Sequence, residues 1–181
     1  MGLPAGQQTV AKLVDEFYGP LYRYAYRLSG SAADAEDLTQ EAFCQVQRHL
    51  TQLRDPNRAK GWLFSILRNA YLHRMRGEKR KRYVSLEEVG EVPEALPDPL
   101  PAIEPEQLQQ ALDELPEVFR TPIILYYFEE FSYRDIAEQM DLPLGTVMSR
   151  LARAKAHLRS RLLPPAPEVL ADSQRRQPDG L

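Results

Sequence analysis

The segment that most constrains the fold of this chain is YRDIAEQMDLPLGTVMSRLARAKAHL, residues 133–158. Two helices that cross closely need a small residue at the crossing, which Ala137 provides. The turn between them needs a residue that tolerates positive φ, and Asp141 stands there, four positions later. Val147 follows ten positions after Ala137 and is expected to face inward. This is the spacing of a helix-turn-helix, so the segment predicts two helices joined by a tight turn.

The second helix of this segment has an apolar face and a face of small and basic residues. At about 100° per residue, the residues expected to point away from the core are Met148, Ser149, Ala152, Arg153 and Ala156. Small residues let a helix enter a DNA major groove, and Arg and Ser offer donors to base edges and phosphates. The pattern favours binding to duplex DNA over a surface helix with solvated charges.

Positive charge is concentrated in residues 54–82, which hold ten Lys or Arg against two acids, although the whole chain has a net charge of -3. The same stretch continues a helical pattern with Trp62, Phe64 and Tyr71. Aromatic side chains beside Lys and Arg are typical of sites that bind single-stranded nucleic acid, because the aromatic rings stack on unpaired bases and the cations bind the phosphate backbone. Packing in the core is the competing interpretation for Trp62 and Phe64, and the sequence leaves it open.

The rest of the pattern predicts an all-α protein of two small helical domains, since no segment alternates with period two. Residues 84–103 carry acids and four prolines, which predicts a flexible, solvated linker. The expected divisions are an N-terminal domain at 8–83, the linker at 84–103, a C-terminal domain at 104–163 and a disordered tail at 164–181.

Three local features carry expectations about the N-terminal domain. Gly19-Pro20 is expected to kink or break the first helix. Asp34 or a nearby Ser is expected to cap the second helix, which follows SGSAADAEDL. Cys44, the single cysteine, is expected to be a small buried hydrophobic residue. With one cysteine the chain cannot form an internal disulfide, which suits a reducing cytoplasm.

Several function classes are disfavoured by what the sequence lacks. The three histidines are isolated, and neither a phosphate-binding glycine loop nor a nucleophile motif is present, so we expect no metal, no cofactor and no enzymatic activity. No apolar run approaches the roughly 20 residues that span a bilayer, and the N-terminus lacks a secretory pattern. We therefore expect a cytoplasmic protein without direct membrane insertion.

In combination, these motifs resemble the bacterial sigma factors, specifically the small extracytoplasmic-function group, over roughly residues 10–163. AEDLTQEAF, residues 35–43, resembles the segment that docks on the clamp helices of core RNA polymerase. GWLFSILRNAYLHRMR resembles the segment that melts and reads the minus-10 promoter element, and residues 133–159 resemble the reader of the minus-35 element. Met148 and Ala152 depart from the family pattern, which often has a basic residue at the first position and a larger one at the second.

The resemblance implies a transcription initiation factor whose partners are core RNA polymerase, through its clamp helices and flap, promoter DNA and an anti-sigma factor. The implied polymerase contacts are Asp37, Gln40, Glu41 and Phe43. The implied minus-10 contacts are Trp62, Arg68, Asn69, Tyr71, Arg74 and Arg76. The implied minus-35 contacts are Thr146, Met148, Ser149, Arg150, Ala152 and Arg153. A free-standing helix-turn-helix regulator and an RNA-binding adaptor are the alternatives that the residues alone leave open.

Overall fold

The structure, a computed structural model, describes residues 5–78 and 103–163, and in those ranges the chain is all α-helical. Two single-turn 3-10 helices, Leu50–Gln52 and Pro56–Arg58, connect the second and third α-helices. The α-helices are α1 Ala5–Ser29, α2 Ala32–His49, α3 Ala59–Glu78, α4 Pro105–Asp113, α5 Glu117–Tyr127, α6 Tyr133–Met140 and α7 Leu144–Leu162. The expected linker, apart from Ile103, and the expected tail lie outside the described residues.

Helix α1 runs without interruption through Pro20, so the expected kink or break at Gly19-Pro20 is wrong in its stronger form. A proline inside a helix removes one backbone hydrogen bond and must be offset by packing. The residues directly after it supply that packing, because Leu21, Tyr24 and Leu28 are fully buried.

Helix α2 begins at a serine cap, as expected: the Ser31 hydroxyl accepts a hydrogen bond of 3.3 Å from the Asp34 backbone N–H. Its buried stripe is formed by Leu38, Ala42 and Val46. The expectation that Cys44 is buried is wrong, since its side chain is exposed. At 100° per residue, position 44 lies on the side of α2 opposite to that stripe.

The helix-turn-helix forms as predicted by α6, the turn and α7. Ser132 caps α6 in a capping box with Asp135, in which each side chain accepts from the other residue's backbone N–H. Asp141 ends α6 in the left-handed region at φ 52° and ψ 54°. Val147 is fully buried, which anchors α7 against the rest of the C-terminal bundle.

The left-handed conformation of Asp141 yields a stability prediction. For a non-glycine residue the left-handed conformation raises the free energy of the folded state by about 1–2 kcal/mol. Glycine adopts it with little strain, but glycine loses more conformational entropy on folding. We expect Asp141→Gly to raise the free energy of unfolding by about 0.5–1 kcal/mol and Asp141→Val to lower it. Urea denaturation of both variants checks this, and a destabilised glycine variant would show that the aspartate side chain makes a compensating interaction.

The N-terminal bundle, α1–α3, and the C-terminal bundle, α4–α7, pack against each other and share one hydrophobic cluster. Phe64 of α3 is fully buried at their junction, with its ring centroid 5.0 Å from Tyr24 and 5.3 Å from Phe131. Of the two interpretations left open for Phe64, core packing is therefore the one that the structure supports. Helices α1 and α3 provide the surface on which α4, α5 and α6 dock.

Candidate nucleic-acid and polymerase interfaces

The outer face of α7 is open to solvent even though the two bundles are in contact. Met148, Ser149, Ala152 and Arg153 are exposed, and Thr146 and Arg150 at its border are half-buried. Ala156, which we expected on the same face, is buried. The structure thus places all six implied minus-35 contacts on or beside one accessible helix surface.

The electrostatic character of α7 is uniform, because Leu144–Leu162 contains five Lys or Arg and no acid. Two of the cations, Arg159 and Arg161, lie in its last turn, where they also complement the helix dipole. A helix with this charge and a bare central face can lie against phosphates and approach base edges at the same time.

A second exposed stripe runs along α3, formed by residues spaced three, four or seven positions apart. Trp62, Asn69, His73 and Arg76 lie within about 60° of one another around the helix. Asn69, His73 and Arg76 are exposed and Trp62 is half-buried. An aromatic ring, an amide, an imidazole and a guanidinium on one face match the groups that bind unpaired bases. His73 is not one of the minus-10 contacts that the resemblance implies, but it lies on the same exposed face as Asn69.

The other three implied minus-10 contacts point elsewhere. Tyr71 is only 3% exposed, so its ring packs in the core and cannot stack on a base. Arg68 faces the C-terminal bundle, where its Nη2 lies 3.6 Å from Glu117 Oε1. Arg74 turns toward α2 and donates to Asp34 Oδ1 at 3.0 Å. The stripe on α3 is therefore narrower than the sequence predicted.

The implied polymerase contacts lie along the solvent side of α2. Asp37, Gln40 and Glu41 are exposed, while Phe43 is half-buried, with its ring 6.3 Å from Tyr18 and almost parallel to it. Asp37 Oδ2 is also 3.8 Å from Arg74 Nη1. This gives α2 an acidic surface that a basic or amide-rich partner could approach, and the acids near its start also suit the positive end of the helix dipole.

The contact between the bundles is built on the carboxyl end of α1. Arg120 Nη1 donates to the Leu28 carbonyl oxygen at 2.7 Å, and Gln109 Nε2 donates to the Arg27 carbonyl oxygen at 3.3 Å. Both acceptors belong to the last turn of α1, whose carbonyls lack partners within the helix. Gly30, at φ 71°, leaves room for the Asp113 carboxylate beside this helix end. The C-terminal bundle thus caps a helix of the N-terminal bundle.

The turn between α5 and α6, residues 128–131, forms the other half of this contact, and we call it the docking turn. Lys60 donates from Nζ to the Glu129 carbonyl oxygen, and its Nζ lies 4.9 Å from the centroid of the Phe131 ring. Arg27 covers the Phe128 ring at 4.2 Å. Cations of the N-terminal bundle therefore hold both aromatic residues of the docking turn.

Glu129 is a buried carboxylate within the docking turn, with 6% of its side chain exposed and Arg27 Nη1 4.0 Å from its Oε1. Burial raises the pKa of its carboxyl from 4.5 to about 7, although Arg27 and Lys60 act in the opposite direction. The folded protein therefore keeps this proton to a higher pH than the unfolded chain does.

That difference predicts how stability depends on pH. Between pH 4.5 and about 7 the unfolded chain releases the proton and the folded protein retains it, so the free energy of unfolding falls as the pH rises. We expect Glu129→Gln to remove this dependence, which amounts to up to about 3 kcal/mol. Denaturation at a series of pH values checks it, and parallel profiles for the variant and the unmodified chain would contradict it.

A groove of about 690 Å³ runs between the start of α3 and the docking turn with α6. Trp62 and Phe131 form part of its wall, as does Gln139, which donates from Nε2 to the Gly61 carbonyl oxygen at 3.3 Å. The partly exposed Trp62 ring is thus shared between the α3 stripe and the junction of the bundles.

Two further findings apply to the described ranges alone. Within residues 5–78 and 103–163, no three His, Cys, Asp or Glu side chains are grouped so that they could hold a metal ion. None of the helices there combines the length and the apolar character that crossing a lipid bilayer requires.

The fold and these surfaces define a class: a two-bundle, all-α nucleic-acid-binding protein with a helix-turn-helix at one end. Family models agree, since sigma-70 region 2 matches residues 13–81 and sigma-70 region 4 matches residues 105–158. The chain belongs to the extracytoplasmic-function RNA polymerase sigma factors, which act in transcription initiation.

Individual relatives support the assignment along most of the chain. SigW of Bacillus subtilis, an ECF RNA polymerase sigma factor, is 30% identical over 168 residues, which cover 86% of this chain and 90% of the relative. SigE of Mycolicibacterium smegmatis is 40% identical over 83% of this chain, and the chain spans 60% of that relative's length. The sigma factor RpoE of Bartonella quintana, solved in complex with the anti-sigma factor NepR, matches with 26% identity and a TM-score of 0.68 over 84% of this chain and 95% of that chain.

Proposed function

We propose that this sigma factor directs core RNA polymerase to promoters by binding two DNA elements with two different surfaces. In this account α7 reads the minus-35 element as duplex, and the α3 stripe captures unpaired bases of the minus-10 element. The exposed side of α2 binds the clamp helices of polymerase, and the C-terminal bundle binds its flap. The domain divisions are those expected from the sequence, 8–83 and 104–163.

The observation that carries this proposal is the presence of two chemically different nucleic-acid surfaces on separate bundles. The α7 surface is acid-free with a bare centre, as duplex binding requires. The α3 stripe, with Trp62, Asn69 and Arg76, has the ring, amide and cation that unpaired bases and their backbone require. A protein that binds duplex DNA alone has no use for the second surface.

The proposed function requires the bundles to separate. The two promoter elements are about 25 base pairs apart, or about 85 Å at 3.4 Å per base pair, whereas here the bundles are in contact. Residues 79–102 between them can span at most roughly 80 Å at about 3.5 Å per residue, and the bundles themselves add to that reach, so the chain is long enough. Separation also frees Arg68 from Glu117, which makes it available to a phosphate. Tyr71 stays in the core of its own bundle and has no DNA role in this account.

An anti-sigma factor is the proposed partner that keeps the chain away from polymerase. RpoE of Bartonella quintana is bound to such a protein in its solved structure. The groove between the bundles and the polar junction beside it offer a surface for a partner that holds them together. Polymerase and DNA as partners place the protein in the cytoplasm.

The function of the α3 stripe is tested with Asn69→Ala in reconstituted transcription. An amide that bonds a base edge contributes roughly a tenfold discrimination, so we expect about tenfold less promoter opening, read by permanganate reactivity of unpaired thymines. Binding to core polymerase should stay unchanged. Asn57→Ala, which removes an exposed amide from the 3-10 helix Pro56–Arg58, outside the α3 stripe and outside α2, is the matched control and should open promoters normally. Equal loss of opening and of polymerase binding would argue against the assigned role.

A further inference from the structure

The outer face of α7 has one apolar edge that the general features of DNA binding do not explain. Leu144 and Met148 are large hydrophobic residues with 43% and 51% of their surface exposed. Together with the exposed Ala152 they form a ridge at positions i, i+4 and i+8 of the helix. The ridge faces solvent, and Met148 and Leu144 are the two large hydrophobic residues of α7 that are exposed.

The side of α7 opposite the ridge is polar. Thr146, Arg150 and Arg153 lie there at i, i+4 and i+7, about 140–200° around the helix from Met148. Between the two edges stand Gly145 and Ser149, and a Cβ added at Gly145 would meet no atom within 4 Å apart from its chain neighbours and the nearby backbone of its own helix. The helix therefore has a centre of small residues, with an apolar edge on one side and a hydrogen-bonding edge on the opposite side.

Only one apolar group projects into the major groove of DNA, namely the 5-methyl group of thymine. We propose that the ridge of Leu144, Met148 and Ala152 reads thymine methyl groups in the upstream element, with Met148 as the main determinant. The inference rests on the proposed function of α7 and adds the chemical feature that it recognises. Helix α7 itself contains no acid, which favours a polyanion over another protein surface as the occupant of the ridge.

The ridge also determines how far apart the recognised thymines can be. Leu144 and Met148 are one turn apart, about 6 Å along the helix axis. Adjacent base pairs are 3.4 Å apart, so the two side chains reach thymines within two base-pair steps of each other. The polar edge lies across the groove from them, where Arg150 and Arg153 can donate to purine edges or to the facing backbone.

The test begins with selection of duplexes by the full-length chain. A pool of 24-base-pair duplexes with a random centre is enriched on the chain, and the selected sequence is made again with single thymines replaced by deoxyuridine. This removes one methyl group and leaves every hydrogen-bonding group in place. We expect about fourfold weaker binding at one or two positions, the effect of one buried methyl group.

Three variants distinguish methyl reading by the ridge from a general loss of affinity for DNA. At the thymine that Met148 contacts, deoxyuridine should weaken binding of the Met148→Ala variant by less than about twofold. The Met148→Leu variant should keep most of the sensitivity of the unmodified chain. Arg153→Ala should weaken binding to the thymine and deoxyuridine duplexes by the same factor. A 5-methylcytosine duplex, in which the methyl group returns on a different base, should recover part of the affinity of the unmodified chain.

Each other outcome overturns the inference in a distinguishable way. An enriched sequence that binds equally well with deoxyuridine would show that methyl groups are not read. Equal sensitivity in Met148→Ala and in the unmodified chain would place the reader elsewhere. If Met148→Ala leaves DNA binding intact but prevents binding to core polymerase, the ridge is a protein contact. If no sequence is enriched, the proposal that α7 binds duplex DNA is itself wrong.

Discussion

Promoter-dependent transcription should fall at least about a hundredfold when the two bundles are locked together by a disulfide bond between positions 30 and 113. A Cβ atom at Gly30 would lie 3.2 Å from the Asp113 carboxyl carbon. The Asp113 Cβ is one C–C bond of about 1.5 Å further on, so the two Cβ atoms are at most about 4.7 Å apart, a range that includes the separation of about 3.8 Å that a disulfide needs. A locked chain cannot span the roughly 85 Å between the two promoter elements. The measurement is run-off transcription with core polymerase, with and without reductant.

The variant is Gly30→Cys with Asp113→Cys, made in a Cys44→Ser background because the native cysteine is exposed. Its reduced form is the matched control: it contains the same substitutions, including the strain of cysteine at φ 71°, and should regain activity. Gel mobility confirms that the bond has formed. Full activity of the oxidised chain would show that the bundles need not separate.

The second large effect is expected from Lys60→Glu, which should open the contact between the bundles. This substitution removes the donor to the Glu129 carbonyl oxygen and the cation beside the Phe131 ring, and it places a carboxylate against that carbonyl oxygen instead. An uncompensated charge in such a place costs about 3 kcal/mol or more, which shifts the ratio of closed to open chains roughly a hundredfold. Small-angle scattering should report a larger radius of gyration.

Two controls define the cause. Lys12→Glu reverses an exposed charge on α1, far along the helix from the docking turn, and should leave the radius unchanged. Lys60→Met removes the donor without adding a negative charge and should enlarge the radius of gyration less than Lys60→Glu does. If Lys60→Glu scatters like the unmodified chain, Lys60 does not hold the docking turn. If the Lys12→Glu variant expands equally, the effect is one of net charge.

The sequence predicted best those features that local chemistry determines. The crossing residue Ala137, the left-handed Asp141 and the buried Val147 follow from steric rules that act within one motif, and the structure has a helix-turn-helix there. The serine cap of α2 follows from the same kind of rule. For Cys44 the period of the helix carried the information, because position 44 lies opposite to the buried stripe of α2.

Contacts between the bundles could not be predicted from one sequence. Nothing in the spacing of Arg68 and Glu117, or of Lys60 and Glu129, indicates that they meet, because their distance is set by how two separate bundles pack. The aromatic residues of α3 show the same limit: core packing was left open for Trp62 and Phe64, and Tyr71 was expected to contact DNA. Phe64 and Tyr71 are both buried in the core. The helical period of α3 does predict that Trp62, Asn69 and Arg76 lie on one face of the helix, which is what the structure shows.

Binding to bacterial core RNA polymerase in the absence of DNA tests the central claim most directly. The full-length chain and polymerase are run together on gel filtration, beside a variant with Asp37→Ala and Gln40→Ala. We predict stoichiometric co-elution of the unmodified chain and a clear loss in the variant, because both exposed side chains lie on the proposed clamp-binding side of α2. If the folded chain, free of any inhibitor, does not co-elute with polymerase, the account of this protein as a promoter-directing sigma factor is wrong.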